Sequence, residues 1–172
     1  MKLFSYKIIF FFLFINFSVA NENIRFININ FIVNNSNVGK SLNKIIENKN
    51  NKIKSELKNL SNKLEEKKDK ILSQKNILKK EEFDKLVKNY EVEVKNFNSF
   101  RNKKTEEFNL YRINSQRKII DLMNPIIKDF LNKESIQILL QKDKIIFGDD
   151  KLDITNEILQ IFDKKHKKIK FE

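Results

Sequence analysis

From Ile46 onward, apolar and long-chain residues recur in steps of four and three: Ile46, Asn50, Ile53, Leu57, Leu60, Leu64, Lys67, Ile71, Gln74 and Leu78. A second run keeps the same rhythm through Phe83, Val87, Tyr90, Val94, Phe97, Arg101, Lys104, Phe108, Tyr111, Ser115, Lys118 and Leu122. Such steps are the heptad spacing of a narrow helix seam. The two runs are out of phase, because Leu78 to Phe83 is a step of five. Lys75, Lys79 and Lys80 suit a helix C-terminus, and Glu81, Glu82 and Asp84 suit the N-terminus of the next helix. A turn is therefore predicted near residues 75–81. Residues 39–132 are predicted to form an antiparallel helical hairpin, a coiled-coil arm of roughly 40 residues per helix and roughly 60 Å in length.

So narrow a seam cannot make a globular core, and the polar seam positions Asn50, Lys67, Gln74, Arg101, Lys104, Ser115 and Lys118 loosen it further. The lysine and arginine stems are expected to lie across the groove with their charged heads in water. The arms should bend and splay.

Composition removes several functional classes. The 172 residues include Gly 2, Pro 1, Cys 0 and His 1. Two glycines leave no Gly-rich phosphate cradle or dinucleotide fingerprint. Without cysteine there is no disulfide framework, thiolate metal site or cysteine nucleophile. The single histidine, His166, lies in a lysine-rich tail and argues against a histidine triad or a two-histidine metal site. The acidic pairs Glu65/Glu66, Glu81/Glu82, Glu106/Glu107 and Asp149/Asp150 fall on exposed helices or a turn, with no pocket to shift their pKa values. The chain is not expected to be an enzyme, and no cofactor or metal is implied.

Residues 1–20, MKLFSYKIIFFFLFINFSVA, read as an export signal. Lys2 and Lys7 precede the apolar run Ile8 to Phe17, and Ser18-Val19-Ala20 offers small residues for cleavage after Ala20. The competing reading is an uncleaved anchor, which needs about 20 apolar residues, more than this run supplies. Export places the mature chain outside the cytoplasm, away from ATP and nucleic acid.

The flanks of the hairpin must hold it. In residues 21–38, Ile24 to Ile29 read as a strand, Phe31-Ile32-Val33 as a short turn or helix, and Ser36 as the N-cap of the first long helix. In residues 133–165, Ile136 to Leu140 and Ile145-Ile146-Phe147 read as two short strands joined by Lys142-Asp143-Lys144. Asp153-Ile154-Thr155 then opens an amphipathic helix, and residues 166–172 are a basic tail. Pro125 should kink or restart the second arm helix at its base. Three short strands and a helix bury little area, so the body should oligomerise or be marginal.

This order of elements resembles the Skp/OmpH family of periplasmic chaperones over about residues 24–165. The resemblance rests on the strand IRFININ, Ser36-Asn37-Val38-Gly39-Lys40 at the start of the first arm, and the lysine-rich hairpin. It rests also on Asn124-Pro125-Ile126, the pair QILLQKDKIIFG and the Asp153-Ile154-Thr155 helix start. Where the family commonly has Ser-Pro-Ala-Gly, Asn37-Val38 takes the middle positions here. The resemblance implies a mainly α fold, with helical arms hanging around a cavity from a small β-containing trimerisation body. It implies a periplasmic homotrimer that holds unfolded outer-membrane proteins without ATP.

Charge adds a mechanism. Residues 40–80 carry 13 basic and 5 acidic side chains, against 9 and 8 in residues 81–124. The excess therefore lies on the first arm, where Lys63, Lys67, Lys68, Lys70, Lys75, Lys79 and Lys80 lead to the tip. Each lysine alone is an ordinary solvated charge, but together they make a field that would attract acidic chains, anionic lipid headgroups or lipopolysaccharide. Phe83, Phe97 and Phe108 fall on the seam and should pack there, which leaves Phe100 as the apolar candidate for client contact. A structural or adaptor protein of the envelope with one fixed partner would use the same coiled coil. A nucleic-acid-binding arm is disfavoured by export and by the lack of aromatics interleaved with the basic cluster.

Overall fold

The computed structural model describes residues 23–171; the expected export signal, residues 1–20, lies outside the described residues. The order is β1 (Ile24–Ile27), α1 (Ile29–Asn35), α2 (Asn37–Ser73), α3 (Lys80–Lys133), β2 (Ile138–Gln141) and α4 (Thr155–Lys165), with 3-10 turns at Lys142–Lys144 and Asp150–Leu152. The fold is mainly α, with a long antiparallel hairpin on a small body that contains β structure. The hairpin turn occupies residues 74–79.

The body is built from the two ends of the chain. Parallel strands β1 and β2 pair Ile24 with Ile138 through Ile27 with Gln141. Phe26 also bridges to Asp153, and its carbonyl accepts the Ile154 N–H at 3.0 Å. One core joins Ile27, Ile32 and Val33 to Val38 and Leu42 at the root of α2. Ile119, Met123, Ile126 and Ile127 of α3 complete it with Ile158 and Phe162 of α4. Each of these short elements exposes one face and hides the other against the arm roots, so the roots are part of the body.

Local chemistry fixes the joints. Asn28 accepts the Phe31 N–H at 2.9 Å and caps α1. Ser36, fully buried, accepts the Gly39 N–H at 3.0 Å and caps α2. Glu81 and Glu82 fill the first turn of α3, where its dipole favours negative charge. Pro125 lies inside α3, which continues through it to Lys133. The helix then closes on Ser135 at φ 53°, and the Ile136 N–H returns to the Leu131 carbonyl at 2.9 Å. This left-handed ending is a Schellman-type stop.

Four expectations need correction. The first strand ends at Ile27, because Asn28 turns to cap α1. Ile145-Ile146-Phe147 is not a strand; Ile146 and Phe147 are almost wholly exposed, and among the described residues no partner strand lies beside them. Arg101 and Lys118 leave the seam for solvent, while Ile119 and Met123 are completely buried. From Ser115 the helix advances by fours, a local stutter that turns its apolar stripe from the partner arm towards the body. Finally, the basic tail is also apolar on one side: Ile169 and Phe171 pack against the core.

Candidate functional site

The arm pair follows directly from the seam spacing. Ile46, Asn50, Ile53, Leu57, Leu60, Leu64 and Lys67 are half-buried and Ile71 is buried, while the α2 residues between them face solvent. Opposite them, Phe83, Val87, Tyr90, Val94, Phe97, Lys104, Phe108 and Tyr111 are half-buried. Two polar ties fix one register. Lys49 places its ammonium 4.1 Å from the centre of the Tyr111 ring. Nearer the tip, Lys67 pairs with Glu93 across the arms.

Packing between these ties is interrupted. Leu60, Leu64, Phe97 and Phe100 line a cleft of about 420 Å³, and Lys63, Lys67, Glu93 and Asn96 form its polar rim. A smaller cleft of about 280 Å³ sits nearer the body, between Lys52, Ile53 and Glu56 on one arm and Lys104, Phe108 and Tyr111 on the other.

The eight candidate residues therefore divide. Lys63, Lys67 and Phe100 meet at the larger cleft. Phe100 is half-buried, with Lys104 5.4 Å from its ring centre. Lys67 is tied to Glu93 and is not a free cation. Lys68, Lys70, Lys75, Lys79 and Lys80 are exposed along the approach to the tip. Among the described residues, none of these five, nor Lys63, is within ion-pair distance of a carboxylate. The cationic face is open to an outside partner.

The sequence reading missed two further features. Leu72 and Ile77 stand exposed among the tip lysines. On the body, Ile138 and Leu140 of β2 join Ile146 and Phe147 as exposed large apolar side chains. The β-rich runs that carry these four side chains are visible in the sequence, whereas their exposure is a property of the fold.

One ionic cluster is structural. The Asp153 carboxylate accepts from the Lys142 ammonium at 2.6 Å and from the Thr155 N–H at 2.9 Å, and it also pairs with the Thr155 hydroxyl. Thr155 Oγ1 in turn accepts the Asn28 N–H at 2.8 Å. Burial pushes the Asp153 carboxyl up, but the bonds from Lys142 and Thr155 outweigh it and hold it below its ordinary value. The same bond holds the Lys142 ammonium above its ordinary value. The cluster locks the start of α4 to the end of β1. The acidic pairs singled out from sequence are all exposed.

Comparison with known proteins agrees with this architecture. The family model described as Outer membrane protein (OmpH-like) matches residues 23–162. The crystal structure of a Caulobacter crescentus protein assigned as an outer membrane chaperone (OmpH-like) superposes with a TM-score of 0.78 at 14% sequence identity. The alignment covers 89% of this chain and 90% of that one. No curated protein sequence matches the chain significantly.

Proposed function

The chain belongs to the OmpH-like outer membrane protein family, and from that premise we propose that it is an ATP-independent periplasmic holdase chaperone for unfolded outer-membrane proteins. The arm surface carries the reading: a row of unpaired lysines on α2 lies beside apolar-lined clefts between two slender helices. The lysines draw in acidic segments of an unfolded chain, and the clefts and the space between arms shelter its apolar stretches. Each contact is weak and exchangeable, but many acting together hold the client tightly. Release then needs no nucleotide; it follows when the client folds elsewhere.

A cavity between arms needs several copies of the chain, and the body carries a surface suited to that. Ile138 and Leu140 on β2, with Ile146 and Phe147 beyond it, expose large apolar side chains on the side of the sheet away from the Phe26–Asp153 bridge that covers the edge of β1. Such patches mark association surfaces. The proposed assembly is a homotrimer, with three hairpins hanging from a shared body. The cationic arms are also suited to contact anionic lipid or lipopolysaccharide.

The test is light scattering of an unfolded β-barrel membrane protein diluted from denaturant with and without the mature chain. Suppressed aggregation is expected; unchanged aggregation at several-fold trimer excess refutes the holdase. Replacing Lys63, Lys68, Lys70, Lys79 and Lys80 by Gln should slow client association at low salt by about tenfold or more, with a smaller effect at high salt. Equal association rates at low salt refute electrostatic capture.

A further inference from the structure

The last described residues do more than add charge. After α4 the chain continues without regular secondary structure, with Ile169 and Phe171 packed against the core and Lys168 and Lys170 exposed. This segment crosses the roots of both arms. It lines a cleft of about 480 Å³ with Val38 and Ser41 of α2. On the other side, the Lys118 ammonium of α3 donates to the Lys170 carbonyl at 2.9 Å. Just before it, Asp163 accepts the Asn37 N–H at 2.8 Å, at the N-terminus of α2 where the helix dipole favours an anion.

We infer that residues 167–171 are a strap that sets the angle between the arm pair and the body. The lever is long: over the 37 residues of α2, a root rotation of about 10° moves the tip by about 10 Å. A restraint at the root therefore governs tip spread far better than one placed anywhere along the arm. The strap is also cheap to open. Among the described residues it has two apolar anchors and one side-chain hydrogen bond to an arm, so it belongs to the class of segments that detach locally while the domain stays folded. Attached, it holds the arms to a narrow range; detached, it lets them swing. Resting on the proposed holdase reading, this would adjust the cavity to clients of different size.

The chain has no cysteine, so two introduced cysteines can be spin-labelled uniquely. Labels on Asn76→Cys at the tip and Lys151→Cys in the body, with labelled chains diluted into unlabelled ones, report the arm angle by pulsed dipolar spectroscopy. Ending the chain after His166 should broaden the distance distribution by about 10 Å. It should also accelerate amide exchange at residues 38–42 and 115–120 by about tenfold. Ile169→Ser should act in the same direction, and it decides alone if the truncated chain does not fold. The double change Lys168→Gln with Lys170→Gln should leave both readouts unaltered. An unchanged distribution and unchanged exchange in Ile169→Ser overturn the strap. A broadened distribution with client protection unaltered at every client size supports the strap and counts against the holdase reading instead.

Discussion

Replacing Gly39 by Ala sets two effects of opposite sign against each other. Gly39 lies in the first turn of α2, and helix propensity alone says that Ala should stabilise it by about 1 kcal/mol. The structure says the reverse. A Cβ at this position would meet the Val33 carbonyl oxygen at 1.8 Å and its carbon at 2.8 Å. Both atoms are backbone of the last turn of α1, so neither can rotate away; the α1–α2 joint itself must open by more than an ångström. That joint is filled by Ile32, Val33, Val38 and Leu42, all buried. Overpacking of this kind costs about 3 kcal/mol or more when the neighbour is rigid. Straining the Ser36 cap adds up to about 1 kcal/mol. The steric effect wins, and the net loss should be about 2–3 kcal/mol. At about 2–4 °C per kcal/mol for a chain of this size, the melting temperature should fall by roughly 5–10 °C. Circular dichroism melts and urea titrations at a fixed protein concentration measure it. Ser36→Ala serves as a milder control, expected to cost about 1 kcal/mol. A Gly39→Ala protein as stable as the parent refutes the close approach of α1 to α2.

Two further outcomes follow from the ionic contacts. Asp153→Asn should cost about 1–3 kcal/mol at neutral pH, since charge-assisted hydrogen bonds to a mostly buried carboxylate are lost. The Asp153 folded pKa is depressed below its ordinary 3.8, so the unfolded chain takes up the proton first on acidification. The stabilisation is complete above that value and is lost as the pH falls below it towards the folded pKa. The gap between parent and variant urea midpoints should therefore narrow on acidification below about pH 4, and a constant gap refutes the assignment. For Lys67 and Glu93, 42% and 44% exposed, a double-mutant cycle with Gln should give a coupling of about 0.2–1 kcal/mol that shrinks in high salt.

The seam was legible in sequence because its signal is repeated: eight α2 positions from Ile46 to Ile71 report the same face, and no single residue decides it. The start of the arm was legible for a chemical reason, since Ser36 three residues before Gly39 is a capping arrangement with few other uses. Ile145-Ile146-Phe147 failed because β propensity measures fit to a half-buried pleated surface, and in the single chain that surface is missing. The pairing of β1 with β2 joins segments more than a hundred residues apart, and no local pattern encodes it. Ile169 and Phe171 were hidden by their neighbours: two alternating apolar residues among lysines are too short a pattern to outweigh the charge around them. At the site, the charge excess was visible by counting. Which lysines are free and which, like Lys67, are held by a carboxylate on the other arm depends on a register that the sequence alone did not fix.

Burial along the two long helices divides the molecule mechanically. The buried residues of α2 are Val38, Gly39 and Leu42 at the root and Ile71 near the tip. Those of α3 begin only at Ser115. Between root and tip the arms have no closed core, so their local stability comes from a half-exposed seam and two polar ties. A helix pair of this kind opens and bends at a small fraction of the free energy that unfolds the body. Changes at the roots, such as Gly39→Ala, should therefore disturb the whole molecule. Changes along the arm should alter rates of capture and range of motion while the body stays folded. For the proposed holdase this division is useful: the body keeps the arms together, and the arms are free to conform to what they hold.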